Sequence, residues 1–172
     1  MSAETFVNAL FLITAVVAAG ILITAVLPII WNMAGTFSTA SHESDTRMRT
    51  DFKIVTTYAS GATDVGKVWI KNIGTQRIGV SELQLADIFF GPQESFGRLT
   101  RQDPNPDIGT DPNQGYWSFY IVSGNSDTYW DPGETLEIHA YSSNDFASGN
   151  YVYFQFVLPN GVWRSSEFTA SG

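Results

Sequence analysis

The chain has 172 residues, no cysteine and a formal charge of −8. That length holds one membrane helix and one domain of ordinary size. The missing cysteines exclude a disulfide framework and thiol chemistry. With 17 acidic against 9 basic residues, a nucleic-acid binder is excluded too, because phosphate contacts need clustered Lys and Arg.

Residues 1–5 read as a short cap. From Phe6 to Trp31 no side chain is charged, and after Glu4 the next acidic or basic residue, near-neutral His42 aside, is Glu43. A secretory signal would need a basic start and a shorter apolar core. The run is long enough to cross a bilayer: about 25 helical residues reach roughly 38 Å, against a hydrocarbon core of about 30 Å. The sequence therefore predicts a retained membrane helix over 1–34, with Phe6 opening the run and Trp31 as its interfacial aromatic. Asn8, Thr14 and Thr24 are polar, and Ala15, Ala18, Ala19, Gly20 and Ala25 are small, which suits close helix packing in lipid. Pro28 removes a backbone donor, so a bend is expected near 24–28. Residues 35–50 are a polar connector, either a helical stalk or a linker.

From residue 51 the pattern changes to strands. "DFKIVTTYAS", "GKVWIKNIG", "TQRIGVSELQLADIFF", "GYWSFYIVSG", "ETLEIHAYSS", "NYVYFQFVLP" and "GVWRSSEFTAS" are short apolar-alternating runs. Between them lie turn signals, including "DPNPDIGTDPNQG", "SGNSD", "DPGE" and "PNG". Such spacing predicts an antiparallel, immunoglobulin-like β-sandwich over 51–172, making the chain mainly β after its first helix. Asn160-Gly161 suits a two-residue type I′ hairpin. No helical periodicity follows residue 50.

Little in the domain points to catalysis. His42 lies in the connector, and His139, in "LEIHAY", is expected to face solvent. There is no nucleophile elbow, phosphate loop or zinc spacing. The chain is read as a non-enzyme without a cofactor. The weak metal candidates are Asp103, Asn105, Asp107 and Asp111, which alternate as calcium ligands can. Ile108 stands where a Gly belongs, however, and Gln114 where a Glu belongs. An aromatic groove for sugars would draw on Trp69, Trp117, Trp130 and Trp163, with Tyr116, Tyr129 and Tyr153; core packing is the plainer use of these rings. No Asn-x-Ser/Thr sequon occurs, Asn32, Asn72 and Asn125 being near misses.

Three stretches carry a resemblance. "ETFVNALFLITAVVAAGILI" is similar to the N-terminal helix of archaellum accessory proteins, with a type IV pilin-like plan. "KVWIKNIGTQRI" resembles a strand–turn–strand of archaellins and their relatives. "LADIFFG", "WDPGETLEI" and "PNGVWRSSEF" resemble the FlaG/FlaF family. The resemblance implies a single-pass subunit of the archaeal cytoplasmic membrane, with its β-domain beneath the S-layer. It also implies a static role in the archaellum motor. The implied partners are further copies of itself, FlaF and, through FlaF, the S-layer protein. A basic leader, which marks major archaellins, is not expected, since no Lys or Arg precedes Arg47. The alternatives are a filament-forming archaellin or pilin, the companion FlaF, or a binding module unrelated to motility. Topology is contested. Arg47, Arg49 and Lys53 would place the domain in the cytoplasm by the positive-inside rule, but they lie about 16 or more residues past Trp31, at the limit of its range.

Overall fold

The computed structural model describes residues 3–122 and 128–172. The predicted turn "SGNSD" and Asn125 lie outside them, as do the first two residues of the cap.

The first element, α1, is one α-helix from Ala3 to Arg49 with Pro28 inside it. At 47 residues its length is about 70 Å. The expected connector is thus helical as far as Arg49. Its Ser/Thr-rich composition permits this because hydroxyls bond back to carbonyls of the preceding turn. Thr36 Oγ1 donates to the Asn32 carbonyl at 3.0 Å, and Thr39 Oγ1 to that of Gly35 at 3.1 Å. Thr14 and Thr24 do the same within the apolar run, donating to Leu10 and Gly20 at 3.1 Å each. Every side chain from Ala3 to Asp45 is exposed, the large apolar ones included. A helix apolar on all sides is built for a solvent other than water. The stretch 1–44 forms one compact unit and 45–172 a second.

Among the described residues, ten strands follow in the second unit: β1 Phe52–Ser60, β2 Val65–Asn72, β3 Ile78–Gly79, β4 Asp87–Pro92, β5 Gly97–Arg101, β6 Tyr116–Ile121, β7 Tyr129–Trp130, β8 Thr135–Tyr141, β9 Tyr151–Val157 and β10 Trp163–Thr169. Eight of them run in the order β1-β2-β8-β6-β5-β4-β9-β10. The two antiparallel halves, β1-β2-β8-β6 and β5-β4-β9-β10, meet at a short parallel pairing of Thr100 with Tyr116 and Arg101 with Trp117. Period-2 alternation points Val68 and Ile70, Leu136 and Ile138, and Phe154 and Phe156 into one core. Phe52 meets Phe156 across it with ring centroids 5.3 Å apart. The Phe90 ring lies against Gly66, where a Cβ would overlap it.

The edges are managed. The terminal strands β1 and β10 join at the Ser60–Ser171 bridge, where Ser171 N donates to the Ala59 carbonyl at 2.8 Å. β1 also carries a bulge between Ile54 and Thr56, and exposed Lys53. Bulges and edge lysines both discourage pairing with another chain.

Several expectations change. A four-residue helix, α2 at Val80–Leu83, interrupts the predicted third strand run. The sequence pattern does not predict β5 or β7. β5 buries only Leu99 and β7 is two residues long, so neither leaves a period in the sequence. The hairpin at Asn160-Gly161 is not type I′. Gly161 has φ +79°, but Asn160 is not in the left-handed region. Gly161 N donates to the Leu158 carbonyl and Leu158 N to that of Val162, both at 2.9 Å. This is a three-residue loop, a type I turn closed by a left-handed Gly.

Candidate functional site

The most specific cluster of polar geometry in the second unit surrounds the last turn of α1. A helix ends with four carbonyls lacking intrahelical partners. Here "NIGTQ", the turn after β2, supplies the donors. Thr75 N and Gln76 N both bond the Arg49 carbonyl, at 2.9 and 3.2 Å, while Ile73 N and Gly74 N bond that of Asp51, at 3.0 and 2.8 Å. Gly74 is required by close approach. A Cβ there would overlap the Arg49 carbonyl oxygen and Asp51 N.

Asn72 holds this turn. It is fully buried, and its side chain is saturated. Nδ2 donates to the carbonyls of Gln76 (3.0 Å) and Trp130 (3.1 Å), and Oδ1 accepts from Gly74 N (3.0 Å). Trp130, also fully buried, returns its indole N–H to the Glu134 carbonyl at 3.0 Å and packs on Phe52. Around them, Asn160 Nδ2 donates to Thr50 Oγ1 at 3.0 Å, and Thr50 Oγ1 donates to the Thr46 carbonyl at 2.7 Å. Arg164 pairs with Asp51, and Arg77 with Asp131, each at 2.5 Å. Three distant segments therefore clamp the foot of the helix. Nothing in this collar is a nucleophile with a base. Its chemistry is mechanical.

The sequence candidates fare differently. Asp103, Asn105, Asp107 and Asp111 are held separately. Asp103 pairs with Arg101 at 2.9 Å, Asn105 Nδ2 donates to the Phe119 carbonyl at 2.8 Å, and Asp107 offers its backbone carbonyl to Tyr120 Oη at 2.9 Å. Asp111 lies 3.6 Å from Lys67 Nζ. Phe6, Asn8, Ala15, Ala18, Ala19, Gly20, Pro28 and Trp31 all lie within α1, Phe6 and Trp31 among its exposed apolar side chains. The proposed aromatic groove is not assembled. Trp117 and Trp130 are core residues, Trp69 donates to Glu137 Oε2 at 3.1 Å, and Trp163 is exposed.

His139 corrects an expectation. It does not face solvent; it is fully buried. It is on the outer face of β8, as the alternation implied, but segment 103–115 and Tyr120 cover it, the Tyr120 ring standing edge-on with centroids 5.4 Å apart. Local periodicity carries no signal of a loop folding over a face.

Burial raises the Tyr120 hydroxyl pKa above its usual value; a hydrogen bond with Ser118 works against this, and the carboxylates of Asp107, Glu137 and Asp111 add to the rise. The folded chain then keeps the Tyr120 proton to higher pH than the unfolded chain does. The stabilising difference is intact below the unfolded pKa of about 10 and is lost as pH rises from there through the folded value. Alkaline titration should loosen the covering segment, seen as faster hydrogen exchange at Thr110, and Tyr120→Phe should remove that pH dependence. An unchanged alkaline profile in Tyr120→Phe would refute it.

Comparisons with known proteins agree on the architecture. A protein of Archaeoglobus fulgidus described only as uncharacterized is 28% identical over 98% of this chain and 99% of its own length. The solved structure of the archaellum periplasmic stator protein FlaG from Sulfolobus acidocaldarius matches with a TM-score of 0.50 at 24% identity, covering 69% of this chain and 99% of that one. The archaeal flagellum of Methanospirillum hungatei strain JF1 matches at 0.67 and 13% identity, covering 99% of this chain and 94% of that one. At these identities the two structural likenesses are likenesses of fold. The family profile described as archaeal-type flagellin matches residues 8–168, running through helix, collar and sandwich alike. With nearly the whole chain matched in this way, the protein belongs to the archaeal-type flagellin family.

Proposed function

We propose that this protein is a non-enzymatic subunit of the archaellum, anchored by α1 in the cytoplasmic membrane, that serves as a static, load-bearing element of the motor. The observation that carries the reading is the collar. The last turn of α1 is fixed into the sandwich by backbone bonds to Arg49 and Asp51 and by the saturated side chain of Asn72. Such a collar suits a rigid, load-bearing domain. The short stretches resembling the FlaG/FlaF family support the stator role over the filament role. With them come pairing with FlaF, contact with the S-layer protein through FlaF, and a domain on the outer side of the membrane beneath that layer. Self-assembly is assigned to the helix, with its exposed Ala15, Ala18, Ala19 and Gly20, because the sheet edges are joined, bulged or charged.

A second reading has its own support. The likeness to the Methanospirillum hungatei filament covers 99% of this chain, α1 included, which suits a filament subunit. Fractionation of motile cells, with the intact mass of the protein, separates the two. Full-length protein in the membrane fraction and absent from sheared filaments is expected. An N-terminally trimmed form recovered in sheared filaments would overturn the stator role in favour of the filament.

A further inference from the structure

The seam between β1 and β10 is closed at one end and open at the other. Leu158 N bonds the Val162 carbonyl and Ala170 N that of Asn150, each at 2.9 Å, so the even-numbered residues of β10 turn their backbone groups to β9. The β9–β10 register runs from Trp163 opposite Val157 to Thr169 opposite Tyr151 without a shift. Alternation then turns the N–H and C=O of Trp163, Ser165, Glu167 and Thr169 the other way, toward β1. Only beyond them does β1 answer: Ser171 N donates to the Ala59 carbonyl and Gly61 N to that of Ser171, each at 2.8 Å. β10 is the last strand in the sheet order. It carries no bulge, Lys or Pro to blunt its outer edge. The Trp163 carbonyl accepts instead from the guanidinium of Arg164 at 2.8 Å.

The open end is a cleft of about 360 Å³ between Phe52, Lys53 and Ile54 of β1 and Arg164, Ser165 and Ser166 of β10. Ile54 and Phe168 pack on the core from the two sides of the seam and are only partly buried. The charge of the cleft is one-sided. Lys53 lies directly opposite Lys71 in the β1–β2 register, and both are exposed. Among the described residues neither has a carboxylate partner. Like charges in that position destabilise an antiparallel pair. Asp51, the acid in the lining, is taken by Arg164. In a chain of 17 acidic and 9 basic residues, two adjacent unneutralised lysines call for an anion from outside.

We infer that this cleft takes an extended acidic segment of a partner chain, which adds to β10 as a strand. The segment's backbone pairs with the outward groups of Trp163, Ser165 and Glu167, the mode of β-strand addition. Apolar side chains on its inner face cover Ile54 and Phe168. A carboxylate on its outer face meets Lys53, with Lys71 beside it. β10 runs from the open end of the seam to the closed end, so an antiparallel segment brings its C-terminal residues to the lysines. Glu167, nearer the closed end, confines the acids to that C-terminal part. A second copy pairing symmetrically through the same seam would bring its own Lys53 and Lys71, so charge favours a different chain.

The probe is a capped, dye-labelled peptide, Thr-Val-Thr-Val-Glu-Val-Glu, titrated by fluorescence anisotropy into the full chain in detergent micelles. Saturable binding is expected, with slowed hydrogen exchange at the amides of Ser165 and Glu167. Lys53→Glu should weaken binding about tenfold and shift the preference to the same peptide with Lys in place of Glu. N-methylating the pairing edge of the peptide should abolish binding, because it removes backbone donors and leaves the side chains intact. Ser165→Pro should abolish it as well, since it deletes an edge N–H that the β9 ladder does not use. If Ser165→Pro does not fold, the N-methylated peptide and Lys53→Glu decide. No saturable binding, equal binding of the N-methylated peptide, or an unchanged preference in Lys53→Glu would overturn the proposal. Protection of the same amides by self-association of the chain alone would overturn it too, in favour of a second copy. None of these readouts depends on the motor role.

Discussion

Replacing Asn72 with Ala should cost the sandwich about 3 kcal/mol. The substitution leaves the Trp130 and Gln76 carbonyls without their side-chain donor and removes the acceptor that orients Gly74 N. Buried groups stripped of a partner cost about 1–3 kcal/mol each, although Gly74 N keeps its bond to the Asp51 carbonyl at 2.8 Å. Domains of this kind are stable by only about 5–15 kcal/mol, so the loss is a large share of the total. Asn72→Asp is the sharper control. It keeps the size of the side chain but sets a carboxylate against two carbonyl oxygens, and it should be no better tolerated than Ala. Urea unfolding of the full chain in micelles, followed by far-ultraviolet circular dichroism, reads both as lower midpoints. A midpoint shift under about 0.5 kcal/mol equivalent for both variants would remove Asn72 from the centre of the collar, since ordinary surface changes stay within that range.

Trp130→Ala should cost still more, about 4 kcal/mol. Truncating a buried Phe or Trp typically removes 3–5 kcal/mol, because lost burial and the residual cavity add. Trp130 is fully buried, its ring centroid is 6.1 Å from that of Phe52, and its indole N–H is bonded to Glu134. Trp130→Phe keeps most of the volume and gives up that hydrogen bond, so it should cost clearly less than Ala. Because Asn72 binds the Trp130 carbonyl, the two sites share β7, and the double variant should lose less than the sum of the singles, with a coupling of about 0.5–3 kcal/mol. Strict additivity would mean that the collar is two independent contacts rather than one joint.

The collar also accounts for the stretch that carried much of the resemblance. "KNIGTQRI" reads in sequence as a strand end and a turn. In the structure Asn72 is a buried bracket, Gly74 a point of backbone contact, and Thr75 and Gln76 the cap of a helix that began some seventy residues earlier.

The sequence by itself determined the long apolar helix, the sandwich and its core. These follow from patterns that local sequence contains: an uncharged run longer than a bilayer core, then period-2 alternation broken by Gly, Pro, Asn and Asp. Only the tertiary structure decided the rest. Whether His139 faced water depended on segment 103–115 folding over β8, and whether Asn72 was a turn residue or a bracket depended on α1 ending beside it. β5 depended on two neighbouring strands, since Leu99 alone of its residues is buried. Periodicity records which face of an element is apolar. It does not record what comes to lie on the other face, because that partner is set by contacts far apart in the chain.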